Sequence, residues 1–338
     1  MNQGVVYDHR DARFPKELKE LKKTPVKKKK VLVIAGPTST GKTHLSLIIS
    51  KAIAGEVISC DSMQVYQGTD IGTAKATHEE REAIPHHLID LCKIEESFNV
   101  VNFYNEAISS LHEILLRDKT PILVGGAGFY IHAFLYGPPK GPPANPELRS
   151  RLEEDFDKFG PEMFYEKLQQ LDPDYASSIT VQDRHKVIRA LEIISLTGRK
   201  VSEIPKPSQE DLSREIDFRC WFVYYPKPIL YKRIEERCDK MIENGLVEEV
   251  IRLREEGLEG NSSAARSIGY RQCLEYLDSE KTPEDWEHFV SSFKRASRRY
   301  AKRQFTWFRK ESLFRWLDLS KMTLEEAAEI MIQDFHQN

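Results

Sequence analysis

With 338 residues, 40% hydrophobic and 30% charged, the chain has room for one large domain or two modest ones, each with its own core. No uninterrupted apolar stretch reaches the roughly 18 residues of a membrane span. The five scattered cysteines (Cys60, Cys92, Cys220, Cys238, Cys273) lack metal-ligand spacing, which argues against disulfides and zinc sites.

The net charge of −3 conceals two basic segments: residues 1–30 hold ten Lys/Arg against four Asp/Glu, and residues 294–310 hold eight Lys/Arg and no acid. Such a pattern implies an anionic partner. Residues 1–30 end in Lys27-Lys28-Lys29-Lys30 without an apolar period and read as a flexible basic arm. They show no apolar core or cleavage site of a secretory signal, so a cytoplasmic protein is expected.

The β-branched run Val31–Ala35 reads as a strand. It leads into Gly36-Pro37-Thr38-Ser39-Thr40-Gly41-Lys42-Thr43, and a helical period follows at Leu45, Leu47, Ile48 and Ile49. Strand, Gly-x4-Gly-Lys-Thr and helix in that order are the context of a phosphate-binding loop. The glycines let backbone N–H groups surround an anion, the helix adds its positive end, Lys42 brings a point charge, and the Thr43 hydroxyl can hold Mg2+. By itself the loop specifies a polyphosphate and suggests ATP by default.

A second strand, residues 56–60, delivers Asp61 to the rim where open α/β sheets bind ligands. Asp61 could ligate Mg2+, orient a nucleophile, take a proton, or simply cap a turn. Lys75 is expected to be free to face the phosphate site. His86 and His87 begin a short strand; side chains there alternate faces, so structural or polar contacts are expected rather than one shared metal. Helix 100–117 and strand 121–124 lead to a second glycine-rich exit, Gly125-Gly126-Ala127-Gly128. Repeated β-α units of this kind predict an α/β fold, a parallel sheet flanked by helices.

The Gly- and Pro-rich residues 137–146 mark a border. From there to about residue 205 the pattern is helical, and strand character returns at 217–224. An all-helical subdomain, 138–210, is therefore expected as an insertion into a core formed by 31–137 and 211–338, able to move as a lid. Helices near 228–256 break at Asn244-Gly245, and the last long helix runs over about 284–309. On it Lys294, Arg298 and Lys302 form one stripe, with Arg295, Arg299 and Arg303 beside it. No acid interleaves, so a polyphosphate backbone such as RNA, bound in a salt-dependent manner, fits the helix.

These motifs, in order, resemble one family. Gly36 to Thr43, Asp61-Ser62-Met63-Gln64-Val65-Tyr66, Gly72-Thr73-Ala74-Lys75, His86 to Asp90, Val124 to Tyr130, Arg189 to Glu192, Gly269-Tyr270-Arg271-Gln272 and Ala301 to Trp307 are similar to those of the bacterial tRNA isopentenyltransferases. The resemblance covers about 31–315. It implies transfer of a dimethylallyl group from dimethylallyl diphosphate to N6 of the adenosine 3′ of the anticodon, with Asp61 as the catalytic carboxylate. It further implies that Gly36 through Thr43, with Arg266, hold the diphosphate and Mg2+. The tRNA anticodon stem-loop would meet Asp61, Ser62, Met63, Gln64, Ala127 (often threonine in the family), Gln182, Arg184, His185, Lys186, Arg189, Arg271, Arg295, Arg299 and Arg303. A monomer without membrane contact is implied. The competing readings are a P-loop kinase of a small nucleotide or metabolite, an isopentenyltransferase of free adenine nucleotides, and a non-catalytic RNA-binding regulator.

Overall fold

The computed structural model describes residues 28–205 and 215–337. It begins β1 (Lys29–Ala35), α1 (Lys42–Ala52), β2 (Gly55–Cys60), α2 (His78–Ala83), β3 (His86–His87), α3 (Val100–Leu116), β4 (Thr120–Gly125) and α4 (Gly128–Tyr136). A helical block follows: α5 (Pro146–Phe159), α6 (Pro161–Leu171), α7 (Pro173–Ser177) and α8 (Arg184–Thr197). The chain then re-enters the sheet as β5 (Ile216–Tyr224) and continues through α9 (Lys227–Glu243), α10 (Leu246–Glu255), α11 (Ser262–Ala265), α12 (Tyr270–Leu277), α13 (Pro283–Phe308), β6 (Arg315–Asp318) and α14 (Leu324–His336).

The six strands form one sheet in the order β3-β2-β4-β1-β5-β6, and every pairing is parallel. Strands buried on both faces read as continuous apolar runs rather than alternating ones, as Leu32, Val33 and Ile34 do. On one face Phe103 and Leu111 of α3 pack with Ile131 and Phe134 of α4. On the other, Leu45 and Ile49 of α1 pack with Ala327, Met331 and Phe335 of α14. Register fixes the functional rim: Ala35 lies beside Gly125, and Gly125 beside Cys60. The segments leaving β1, β2 and β4 therefore emerge side by side.

Helices α5, α6 and α8 enclose an apolar cluster of their own, including Leu152, Phe156, Phe164, Leu168, Val187 and Leu191. Asn145 caps α5 through Leu148 N, with Pro146 opening the helix. A further cluster lies beneath α9, α10, α12 and α13, where Ile234, Val250, Tyr270 and Phe293 meet.

Three details differ from expectation. Lys29 and Lys30 belong to β1, paired with Ile216 and Asp217, and Lys30 Nζ donates to Phe335 O and Gln337 O. The expected arm thus loses its last two residues to the sheet, while residues 1–27 lie outside the described ones. β6 and α14 were not anticipated. The signal was present for α14, in the Thr323/Glu326 capping box and the apolar spacing of Ala327, Met331 and Phe335. Lys75 is not free: its buried ammonium pairs with Asp70 at 2.8 Å and Asp90 at 2.6 Å and donates to Tyr66 O. No helix among the described residues is long and apolar enough to cross a membrane.

Candidate active site and nucleic-acid interface

The phosphate loop turns through positive φ at Ser39 and Gly41, and Thr40 braces it by donating to Pro37 O at 2.8 Å. Lys42 is folded back on the loop, its ammonium donating to Gly36 O (2.9 Å) and Pro37 O (2.7 Å). Thr43 follows in the first turn of α1 and, with Lys42, lines a hollow of about 580 Å3.

Asp61 leaves β2 beside this hollow. Its Oδ1 accepts from Met63 N (2.8 Å) and Gln64 N (3.4 Å), so the carboxylate does cap a turn, with one oxygen only. The group also borders a second hollow of about 290 Å3, whose walls include Met63, Ile234, Met241, Ile268 and Phe293. The two hollows share Thr38, Ser39, Asp61, Thr73, Arg237 and Tyr300. The phosphate-loop compartment thus opens onto a second one, which sets an apolar wall opposite Arg237, Arg266 and Arg303, with Asp61 at the junction. Both volumes suit small-molecule binding.

Sequence reasoning missed three side chains here. Arg237 of α9 donates to Thr38 Oγ1 at 2.8 Å and to Thr73 O at 3.3 Å, and Arg233, one turn earlier, donates to Ser39 O at 2.9 Å. The i, i+4 arginine pair on α9 was the available signal, but nothing local says that this face meets the loop. Gln304 of α13 is the third. It accepts from Thr38 N at 3.2 Å and donates to Gly126 O at 2.9 Å, clasping the exits of β1 and β4. A Cβ on Gly126 would stand 2.2 Å from Gln304 Nε2, so the glycine there admits the glutamine.

Glu249 of α10 supports the far wall. It is buried and accepts from Asp70 N, Ile71 N, Gly72 N and the Tyr270 hydroxyl, at 2.6–2.9 Å. Four donors on one buried carboxylate tie the Gly72 and Tyr270 motifs together and set Thr73 in the junction. Gln64 completes this wall, accepting from Ser59 Oγ and donating to Thr73 O.

Charge is concentrated at the junction. Burial, reinforced by the Arg237 charge and opposed by Asp61, lowers the Lys42 ammonium to about 7. Burial also lowers the Arg237 guanidinium, against the pull of Asp61. Tyr300 is pushed up by burial and then by Asp61, and stays a neutral phenol. An incoming polyanion favours charged Lys42, so anion affinity is expected to be fullest below pH 7 and to fall as pH rises through about 7. Calorimetry with inorganic diphosphate at pH 8 should register more proton uptake by the wild type than by Lys42→Met; equal uptake would refute the assignment.

The other expected contacts are spread more widely. Met63 lines the apolar wall of the second hollow, and exposed Ser62 and Arg266 are also among its lining residues. Ala127 packs against the central-sheet core, with its carbonyl 4.0 Å from Cys60 Sγ. Arg271 lies on an exposed face of α12, 3.7 Å from Glu275. In the helical block, Arg184 pairs with Asp157, Arg189 with Glu192 and Pro142 O, and Lys186 with Asp183 at 3.5 Å, whereas Gln182 and His185 are exposed.

On α13, Lys294 and Arg298 are neutralised by Asp239 and Glu235 of α9. The sequence offered no acid within residues 294–310; the tertiary structure supplies two from the neighbouring helix. Arg295, Arg299 and Arg303 remain exposed, and Arg303 reaches the junction, stacked 5.5 Å from the Tyr300 ring.

Comparison with known proteins bears on what such a site does. A family model described as IPP transferase matches residues 64–311. The chain is 53% identical over 308 residues to a tRNA dimethylallyltransferase of Protochlamydia amoebophila (strain UWE25), spanning 91% of this chain and 89% of the relative. A tRNA dimethylallyltransferase of Chlamydia caviae is 46% identical over 308 residues, spanning 91% and 90%. Among solved structures, the full-length tRNA isopentenylpyrophosphate transferase from Bacillus halodurans aligns with a TM-score of 0.65 at 37% identity, covering 91% of this chain and 97% of that one. Crystallographic snapshots of a eukaryotic dimethylallyltransferase acting on tRNA align with a TM-score of 0.72 at 29% identity, covering 90% and 79%.

Proposed function

The chain belongs to the IPP transferase family, and from that premise we propose that it transfers a dimethylallyl group from dimethylallyl diphosphate to N6 of the adenosine 3′ of the anticodon in tRNA, releasing diphosphate. The observation that carries the reading is the meeting, at Asp61, of a cation-lined phosphate hollow and a second hollow with an apolar wall of Met63, Ile234, Met241, Ile268 and Phe293. Neither a P-loop kinase of a small nucleotide or metabolite nor an enzyme that prenylates free nucleotides has a use for the exposed arginines of α13.

The geometry supports a division of labour. The diphosphate occupies the loop, within reach of Lys42 and the amides of α1, with Arg237 at Thr38. The C5 group turns against the apolar wall of the second hollow. As the C1–O bond breaks, its electron pair goes to the diphosphate, where Lys42, Arg237 and the loop amides stabilise the growing charge. The adenine N6 lone pair closes on C1, and the proton N6 sheds goes to Asp61. The Oδ1 hydrogen bonds to residues 63 and 64 hold that carboxylate still, leaving its second oxygen to face the base.

Mg2+ fits this donor set. Thr43 lines the phosphate hollow, and its hydroxyl is a hard oxygen donor of the kind that suits an ion that keeps its waters and binds through few protein oxygens plus diphosphate. The Thr43 hydroxyl would hold it, and when bound it would neutralise charge on the leaving group.

The target adenosine must leave its stack to reach Asp61. The block 138–210 clasps the anticodon stem-loop through the start of α8, and Arg295, Arg299 and Arg303 follow the RNA backbone, positioning rather than selecting it. A cytoplasmic monomer suits this role. The test is incubation with labelled dimethylallyl diphosphate and Mg2+ in the presence of bulk tRNA or of AMP. Label is expected in tRNA alone; label confined to AMP would move the assignment to free nucleotides.

A further inference from the structure

The family reading does not use one exposed feature beside the junction. Every fourth residue of α13 from Arg295 gives Arg299, Arg303 and then Trp307, which places the four on one face. Trp307 is 40% exposed although its indole rests against the backbone of α4. Across from it, Phe129 of α4 is 45% exposed, its ring 6.3 Å from the indole and nearly perpendicular at 72°. Both rings stand just outside the junction: Arg303 and Gln304, one turn before Trp307, line the hollows, as does Gly126, three residues before Phe129.

The indole is held in place. A Cβ on Gly128 would fall 2.4–2.6 Å from Trp307 Cδ1, Cγ and Nε1, so the ring lies directly against the bare backbone of residue 128. A large, oriented aromatic surface at the end of an arginine row has the two parts of a single-strand binding platform: charges that track phosphates and a ring on which a base stacks.

We propose that Trp307, flanked by Phe129, stacks an unpaired anticodon-loop nucleotide adjacent to the target adenosine. The proposal rests on the tRNA reading above. Taking the target out of the loop leaves its neighbour without a stacking partner, and an aromatic face at the mouth of the junction replaces that partner. Because stacking accepts any base, the ledge stabilises the opened loop without selecting its sequence.

The test uses the full chain and an anticodon stem-loop RNA. Trp307→Ala is expected to weaken stem-loop binding by about ten-fold or more, to leave dimethylallyl diphosphate affinity unchanged, and to be largely rescued in Trp307→Phe. An abasic site on one side of the target adenosine should abolish the difference between wild type and Trp307→Ala. Undiminished binding by Trp307→Ala, or the same loss with either abasic loop, would overturn the ledge. Should Trp307→Ala fail to fold, Trp307→Phe serves: RNA should quench wild-type tryptophan emission more than that of the variant, and equal quenching would overturn the proposal. Wild-type protein that neither binds nor prenylates the stem-loop would instead bring down the tRNA reading itself.

Discussion

Replacing Asp61 by asparagine is expected to lower the single-turnover rate of prenyl transfer by about 10²- to 10⁴-fold, the range for loss of a positioned general base. The tRNA affinity should stay within a few-fold. Asparagine keeps an Oδ1 acceptor for Met63 N and Gln64 N, so the turn survives and only charge and basicity are lost. Asp61→Ala removes the turn acceptor as well. It should match asparagine in rate and lose about 1 kcal/mol more in stability, the usual cost of stranding such donors. A parallel loss of tRNA binding and rate in the asparagine variant would show that Asp61 organises the wall rather than the reaction.

Arg237→Met should lower the single-turnover rate by about 10²- to 10³-fold, as expected for removing one group that meets charge developing on the leaving diphosphate. A second consequence separates this role from simple binding. Arg237 is, after burial, the main influence holding Lys42 down near 7, with Asp61 pulling the other way. Without Arg237 the ammonium keeps its proton to higher pH, so the alkaline limb of the rate profile should move upward. A raised KM for dimethylallyl diphosphate with unchanged rate would mean that Arg237 binds substrate and transition state equally.

Much of the fold was legible because its signals are local. Apolar strand runs, the Gly-x4-Gly-Lys-Thr loop and the helical block between two strands each depend on neighbours in sequence, and all are found where periodicity and turn chemistry put them. The end of the chain was less legible. β6 is a four-residue edge strand whose partner, β5, lies about 90 positions earlier in the chain, and no pattern within four residues announces such a pairing.

The site divides in the same way. The loop and Asp61 stand in local motifs at strand ends, and their convergence follows from parallel register once the strands are recognised. Arg237, Gln304 and Glu249 do not stand in that relation to the loop. They come from α9, α13 and α10: Arg237 and Gln304 reach the loop, and Glu249 braces residues 70–72 on the far wall, through helices distant from the loop in sequence. The two stripes of α13 make the point on a single helix. They are identical in sequence character, but the acids of α9 claim Lys294 and Arg298 and leave Arg295, Arg299 and Arg303 to solvent. By itself the sequence determined an α/β core with a Gly-x4-Gly-Lys-Thr loop, a carboxylate at its rim and a basic helix, since each is written in residues adjacent along the chain. Only the tertiary structure decided which cations meet the loop, which are already paired, and that a second compartment with an apolar wall opens at Asp61, because those properties depend on side chains brought together from helices far apart in sequence.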